Sequence, residues 1–503
     1  FWDDAVADLL EVEREEAAPL CFGDTLRADV HGSYLHGAPL VGGQVTYTLR
    51  RQETSFSPAG PENEGFTFGR GWAGPWYYRD FAMGLGAELL VAQGAGALDA
   101  AGIWHIDHVL AAIEKNLADP SAAAPAADKD PPKTASYTLE AQVTDQNRQA
   151  IAGRSTYVVH PALHYAGVRA DRTVYRAGEQ ATVEAVVVDV DGKRVAGRPI
   201  AIELVREETR RKAVEKDGAW TYEYTTDKVS AGACSPTSAD APVSCDLRLE
   251  HAGSYTLRAL VEDPQGRKNL TTSTIYVHGK DAVVWDQDQR RVDLVPDKRS
   301  YEPGEKATLL VRSPFDRARG LLVVERDGIV EHRPIAVEGG SAAVEVTIPE
   351  TAVPNLHVSV LLLRGRVDVP GAPPGQDLGR PAQAAGVVEL QVSSARKKIG
   401  VELTPDRAEL APKDTLRLKV QTRDHEGKGR PAAVALMVVD EGVLSLLGYP
   451  TPDPLAFFHH PRSGGTGLFD LRSFLLARED APPPMPQPVP EESAASMIYC
   501  KNL

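Results

Sequence analysis

Cysteine is scarce in this sequence. The 503 residues hold four, Cys21, Cys234, Cys245 and Cys500, and none has Cys-x-x-Cys or Cys/His spacing. The common structural zinc motifs are therefore absent, and no metal is expected. Positive charge is also short. Lys and Arg number 55 against 70 Asp and Glu, a formal net charge of −15. Nucleic acid and anionic lipid both need clustered cations, so neither is expected as a partner. No apolar run reaches the roughly 18 residues that a membrane-crossing helix requires. The sequence has no Gly-x-Ser-x-Gly elbow, no Walker-type phosphate loop and no His-Glu-x-x-His helix. No active site is legible, and no cofactor is implied.

The remaining polar groups read as structural. His105 and His108 are three apart, so on a strand they face opposite sides, and no third ligand is near in sequence. His31, His36, His459 and His460 fall beside turns or in loops. Asp440 and Glu441 open a short helical stretch, where carboxylates suit the helix dipole better than acid/base catalysis.

Hydrophobic residues make up 42% of the chain, enough for packed cores. At ~100–200 residues per domain, the length implies about three to five domains. The chain opens at Phe1 without a basic-then-apolar leader and stops shortly after a Pro-rich tract. Both ends read as cuts in a longer protein.

Internal repeats organise what is present. Asp171 to Val183 and Asp297 to Leu309 share the pattern Asp, Tyr four residues on, Gly three further, then an alternating strand. Weaker copies begin near Leu20 and at Pro405, the latter through Leu410 and Asp414. The pattern predicts a short edge strand ending at Tyr, a glycine turn with positive φ, and a core strand. A second repeat matches Ser136-Tyr-Thr-Leu with Ser254-Tyr-Thr-Leu, each at the head of a half-buried strand. A third is Gly-x-Pro before a strand, at Gly37, Gly197 and Gly429.

These repeats predict an all-β chain of tandem antiparallel sandwiches. The expected units are 1–84, 85–166, 167–281, 282–398 and an incomplete 399–458, followed by an extended segment 459–503. Residues 55–84, with Trp72, Trp76, Tyr77 and Tyr78, read as a long insert packed on a sandwich. Ile106, Val109, Leu110, Ile113 and Leu117 have helical spacing, whereas the domain context favours strands. Cys234 and Cys245 bracket a turn-rich loop and are expected to form a disulfide, which implies an oxidising compartment.

The most specific stretch runs from Ala433 to Phe458. An apolar strand ends in Val438-Val439-Asp440-Glu441, a short helix follows, then Gly448-Tyr-Pro-Thr-Pro-Asp453-Pro, then Phe457-Phe458. This resembles bacterial α2-macroglobulins. The Tyr301-Glu-Pro-Gly304-Glu and Ser313-Pro-Phe315 segments are similar to the same family's macroglobulin-like domains. The resemblance implies a non-enzymatic, broad-specificity inhibitor that traps endopeptidases after they cut an exposed bait segment. It also implies a periplasmic or cell-envelope location and further C-terminal domains. Many members carry a Cys-x-x-Gln thioester, yet Gln is absent three residues after each cysteine here.

By that resemblance the bait segment begins after Phe458. Residues 459–498 are rich in Gly and Pro and include Ala481-Pro-Pro-Pro-Met-Pro-Gln-Pro-Val-Pro490, a composition that stays extended. Arg462, Leu471, Arg472, Phe474, Leu476 and Arg478 are the expected cleavage positions. The rival readings are a multidomain surface rod or adhesin, and accessory domains of a larger hydrolase.

Overall fold

The computed structural model describes residues 7–465, apart from 15–17, 35–36, 71–87, 120–128, 146–147, 217–218, 286–290, 369–378, 410, 412–413 and 449–451. Its regular elements are nearly all strands, arranged as successive β-sandwiches.

The first stretch of chain supplies β1 (Ala7–Arg14), β2 (Leu20–Cys21), β3 (Thr25–Tyr34), β4 (Gln44–Glu53), β5 (Thr67–Phe68), β6 (Leu89–Ala97), β7 (Ile103–Val109), β8 (Ala135–Thr144) and β9 (Ala150–His160), and all of these except β5 build the first sandwich. One sheet runs β1-β3-β7 and the other β2-β9-β8-β4-β6. β4 lies between β6 and β8 and pairs antiparallel with both. The expected boundary at 84 is therefore corrected. Residues 1–84 and 85–166 do not fold as two units, because their strands interleave around one core that includes Leu26, Leu49, Ile106, Tyr137 and Leu139. In β8, Ala135, Tyr137, Leu139, Ala141 and Val143 turn inward while the intervening polar residues face out, as period-two alternation requires. The helical spacing after Ile106 yields no helix. β7 pairs with β3, and Ile113 and Leu117 lie exposed beyond it.

The second sandwich contains β10 (His164–Ala170), β11 (Val174–Arg176), β12 (Gln180–Asp189), β13 (Ala201–Lys216), β14 (Ala219–Cys234), β15 (Val243–Arg248), β16 (Gly253–Glu262) and β17 (Lys268–His278). Its sheets are β15-β12-β10-β5 and β11-β17-β16-β13-β14. The short β5 therefore belongs to the neighbour's sheet. Phe56, Phe66 and Phe68 from the insert pack with Tyr165, Val186 and Val188 of this second sandwich. Trp72, Trp76, Tyr77 and Tyr78 lie outside the described residues.

The third contains β18 (Asp293–Pro296), β19 (Ser300–Tyr301), β20 (Lys306–Arg312), β21 (Arg317–Glu325), β22 (Ile329–Glu338), β23 (Ser341–Thr347), β24 (Asn355–Arg364) and β25 (Ala382–Val392). They form one eight-stranded sheet curled around a single core that includes Leu294, Tyr301, Leu309, Phe315 and Leu356.

The start repeat has a shared physical basis. In each sandwich the short strand pairs parallel with the closing strand: β2 with β9, β11 with β17, β19 with β25. Tyr175 Oη donates to Asp171 Oδ1 at 2.7 Å, and Tyr301 Oη to Asp297 Oδ1 at 2.8 Å. The same aspartate oxygens accept the backbone N–H of Thr182 and Thr308. Gly178 and Gly304 make the turns at φ 94° and 90°, where a Cβ would be strained.

Beyond 392 the pattern breaks off. β26 (Gly400–Pro405) and β27 (Leu418–Arg423) form a two-stranded ladder. Asp406 accepts from the Arg417 N–H, the counterpart of the Asp297–Thr308 bond. The apolar strand expected around Leu436 is not a paired strand. No described strand offers it a ladder, and Met437 and Val438 are 79% and 84% exposed. Two short helices follow, α1 (Glu441–Leu447) and α2 (Pro454–Phe458).

Candidate functional site

The segment leading toward the Pro-rich tract is built by two capped helices. Asp440 caps α1 by accepting the Gly442 N–H at 2.8 Å, and Gly448 ends it with φ 56°. Asp440 thus serves as a cap, the structural role its position suggested. Asp453 caps α2 by accepting from the N–H groups of Leu455 and Ala456. Pro454 supplies the fixed φ of the first turn. Phe457 and Phe458 stack edge to face at 5.2 Å, both more than two-thirds exposed.

The chain then returns to the third sandwich. Asn355, the first residue of β24, is 1% exposed. Its Oδ1 accepts from the Arg462 N–H at 2.9 Å, and its Nδ2 donates to the Arg462 carbonyl at 2.8 Å. The second Nδ2 hydrogen goes to Glu389 Oε1 at 2.9 Å. The Arg462 guanidinium donates to Asp327 Oδ1 at 3.1 Å. Of the expected cleavage positions, Arg462 is thus held against the sandwich. Leu471, Arg472, Phe474, Leu476 and Arg478 lie outside the described residues.

The disulfide is formed. Cys234 at the end of β14 joins Cys245 on β15, with an S–S distance of 2.05 Å. It links the two sheets of the second sandwich. Cys21 is buried, and burial pushes its thiol up to about 11, so it is not poised as a nucleophile.

Several histidines have nearby partners. His105 pairs with Asp29 at 2.6 Å and His108 with Glu114 at 3.2 Å, while His460 Nδ1 lies 2.9 Å from the Phe457 carbonyl. Among the described residues no group of three or more ligating side chains could hold a metal.

Two family models match in tandem. Residues 167–279 match bacterial macroglobulin domain 6, and residues 292–446 match the α2-macroglobulin bait region domain. The chain belongs to the bacterial α2-macroglobulin family. An α2-macroglobulin homolog of Nostoc sp. is 26% identical over 86% of this chain and 21% of its own length. The α2-macroglobulin of Xylella fastidiosa is 28% identical over 59% of this chain and 17% of its own. The chain therefore spans about a fifth of the length of the curated relatives it matches. Among solved structures, native Escherichia coli α2-macroglobulin aligns over 91% of this chain and 28% of its own, at 19% identity and a TM-score of 0.37. The trypsin-activated form of the Escherichia coli protein aligns at a TM-score of 0.33, with 19% identity over 90% of this chain and 29% of its own. Sequence reasoning missed the contact between Asn355 and Arg462. The two residues are 107 positions apart, and a buried Asn at a strand start carries no local signal.

Proposed function

We propose that this α2-macroglobulin-family chain is the bait-bearing part of a broad-specificity endopeptidase inhibitor. The supporting observation is the bait region domain match, which ends at residue 446, upstream of the tract from 459 that is too rich in Pro and Gly to bury a core. A protease needs an extended, locally unfolded stretch, and such a tract supplies one without global unfolding. The attacking endopeptidase is the partner. The sandwiches do no chemistry and act as the body that responds to the cut. The inter-sheet disulfide fits an oxidising compartment, periplasmic or cell envelope.

The test is limited digestion of the full-length protein with trypsin-like, chymotrypsin-like and elastase-like enzymes, followed by mass mapping and sizing. First cuts should concentrate between residues 463 and 497, and a single cut should change the hydrodynamic size. First cuts scattered through the sandwiches, or bait cuts without a change in shape, favour the surface-rod reading instead.

A further inference from the structure

A serine endopeptidase of trypsin type takes three things from the residue before the scissile bond. Its carbonyl oxygen enters the oxyanion hole, its side chain enters a pocket ending in a carboxylate, and its backbone lies extended along the enzyme. At Arg462 all three are engaged. The carbonyl accepts from Asn355 Nδ2, the N–H donates to Asn355 Oδ1, and the guanidinium is paired with Asp327.

We infer that Asn355 and Asp327 form a clamp that withholds the Arg462–Ser463 bond from trypsin-like enzymes and fixes the amino-terminal root of the cleavable segment. Both arms are preorganised. Glu389 Oε1 takes the second Asn355 hydrogen and fixes the amide orientation, and it also accepts from Gln391 Nε2 at 2.7 Å. Arg326 ties the turn bearing Asp327 to the loop that leads into Asn355. Its Nη2 donates to the Val353 carbonyl at 2.7 Å and its Nε to the Thr351 carbonyl at 3.3 Å. The amide therefore pays little rotamer entropy to hold the strand. An attacking enzyme must first break two hydrogen bonds to a buried group and one ion pair. A cut at Arg472 or Arg478 would leave the stub through Arg462 fastened to the third sandwich.

This inference rests on the bait reading, but its own test does not depend on where other cuts fall. Full-length protein is digested with trypsin, and the Arg462–Ser463 bond is followed by mass mapping. A free peptide spanning 458–468 serves as the unclamped reference. The intact protein should be cut at this bond at least roughly tenfold more slowly than the peptide, given about one lost factor of ten for the paired hydrogen bonds. Asn355→Ala should recover most of that loss, and Asp327→Ala, at an exposed turn, a smaller part. Neither should alter the rate at Arg472 or Arg478. If the intact protein loses this bond as fast as the peptide, the clamp is refuted. It is equally refuted if Asp327→Ala and any folded Asn355 variant leave the rate unchanged. An absence of cuts in 463–497 would instead sink the bait reading and leave the Arg462 comparison intact.

Discussion

The ring of Phe56 lies stacked on that of Tyr165, with centroids 3.8 Å apart and planes inclined at 18°. Phe56 comes from the insert of the first sandwich and Tyr165 from the first strand of the second. The Tyr165 hydroxyl lies 2.8 Å from both Thr134 Oγ1 and His160 Nδ1. Truncating the half-buried ring in Phe56→Ala should cost about 2 kcal/mol. Tyr165→Phe should cost about 1–3 kcal/mol, because it leaves buried Thr134 and His160 short of a partner. Urea unfolding of both variants checks this.

His160 gives the joint a pH dependence. Burial lowers its folded-state pKa from 6.5 to about 4. The unfolded chain therefore takes up a proton that the folded chain refuses. Stability from this group is fully present above pH 6.5 and falls as pH drops from 6.5 toward 4, by about 3 kcal/mol in all. His160→Gln should flatten that part of a stability-versus-pH curve.

The Cys234–Cys245 bridge closes a small loop between sheets. Replacing both residues with Ser should lower stability by about 3 kcal/mol on the loop-entropy model. Under denaturation without reductant, alkylation should leave both cysteines unmodified while Cys21 is labelled.

The Asp–Tyr bracket should matter in proportion to burial. Asp297→Ala removes the acceptor for the buried Tyr301 hydroxyl and for the Thr308 N–H, and should cost about 2–3 kcal/mol. Asp406→Ala removes an exposed bond to the Arg417 N–H and a surface ion pair with Arg407, and should stay within about 0.5 kcal/mol. Thermal melts of the two variants separate these outcomes.

Val401, Leu403, Val434, Leu436, Met437, Val438 and Val439 are all exposed. Exposed apolar side chains in this number favour association. This chain by itself should bind a hydrophobic dye and associate with rising concentration. Met437→Glu with Val438→Glu should weaken both, as read by fluorescence and sedimentation.

The sequence by itself determined the all-β class, the start repeat and the disulfide. Each rests on residues close in the chain: period-two alternation around Tyr137 and Tyr255, an Asp with a Tyr four residues on, two cysteines flanking a turn-rich loop. The family signature at 433–458 was legible for the same reason, since its caps at Asp440 and Asp453 act within three residues. Only the tertiary structure decided which strands share a core. β4 inserts between β6 and β8, so a boundary drawn in the Gly-rich insert divided one sandwich in two. It also decided that Phe56, Phe66 and Phe68 serve the neighbouring sandwich and that Asn355 holds Arg462. Alternation states which face of a strand is apolar but not which strand lies beside it. Sheet neighbours and buried amide contacts are fixed by closure of the whole core, across separations that no local pattern records.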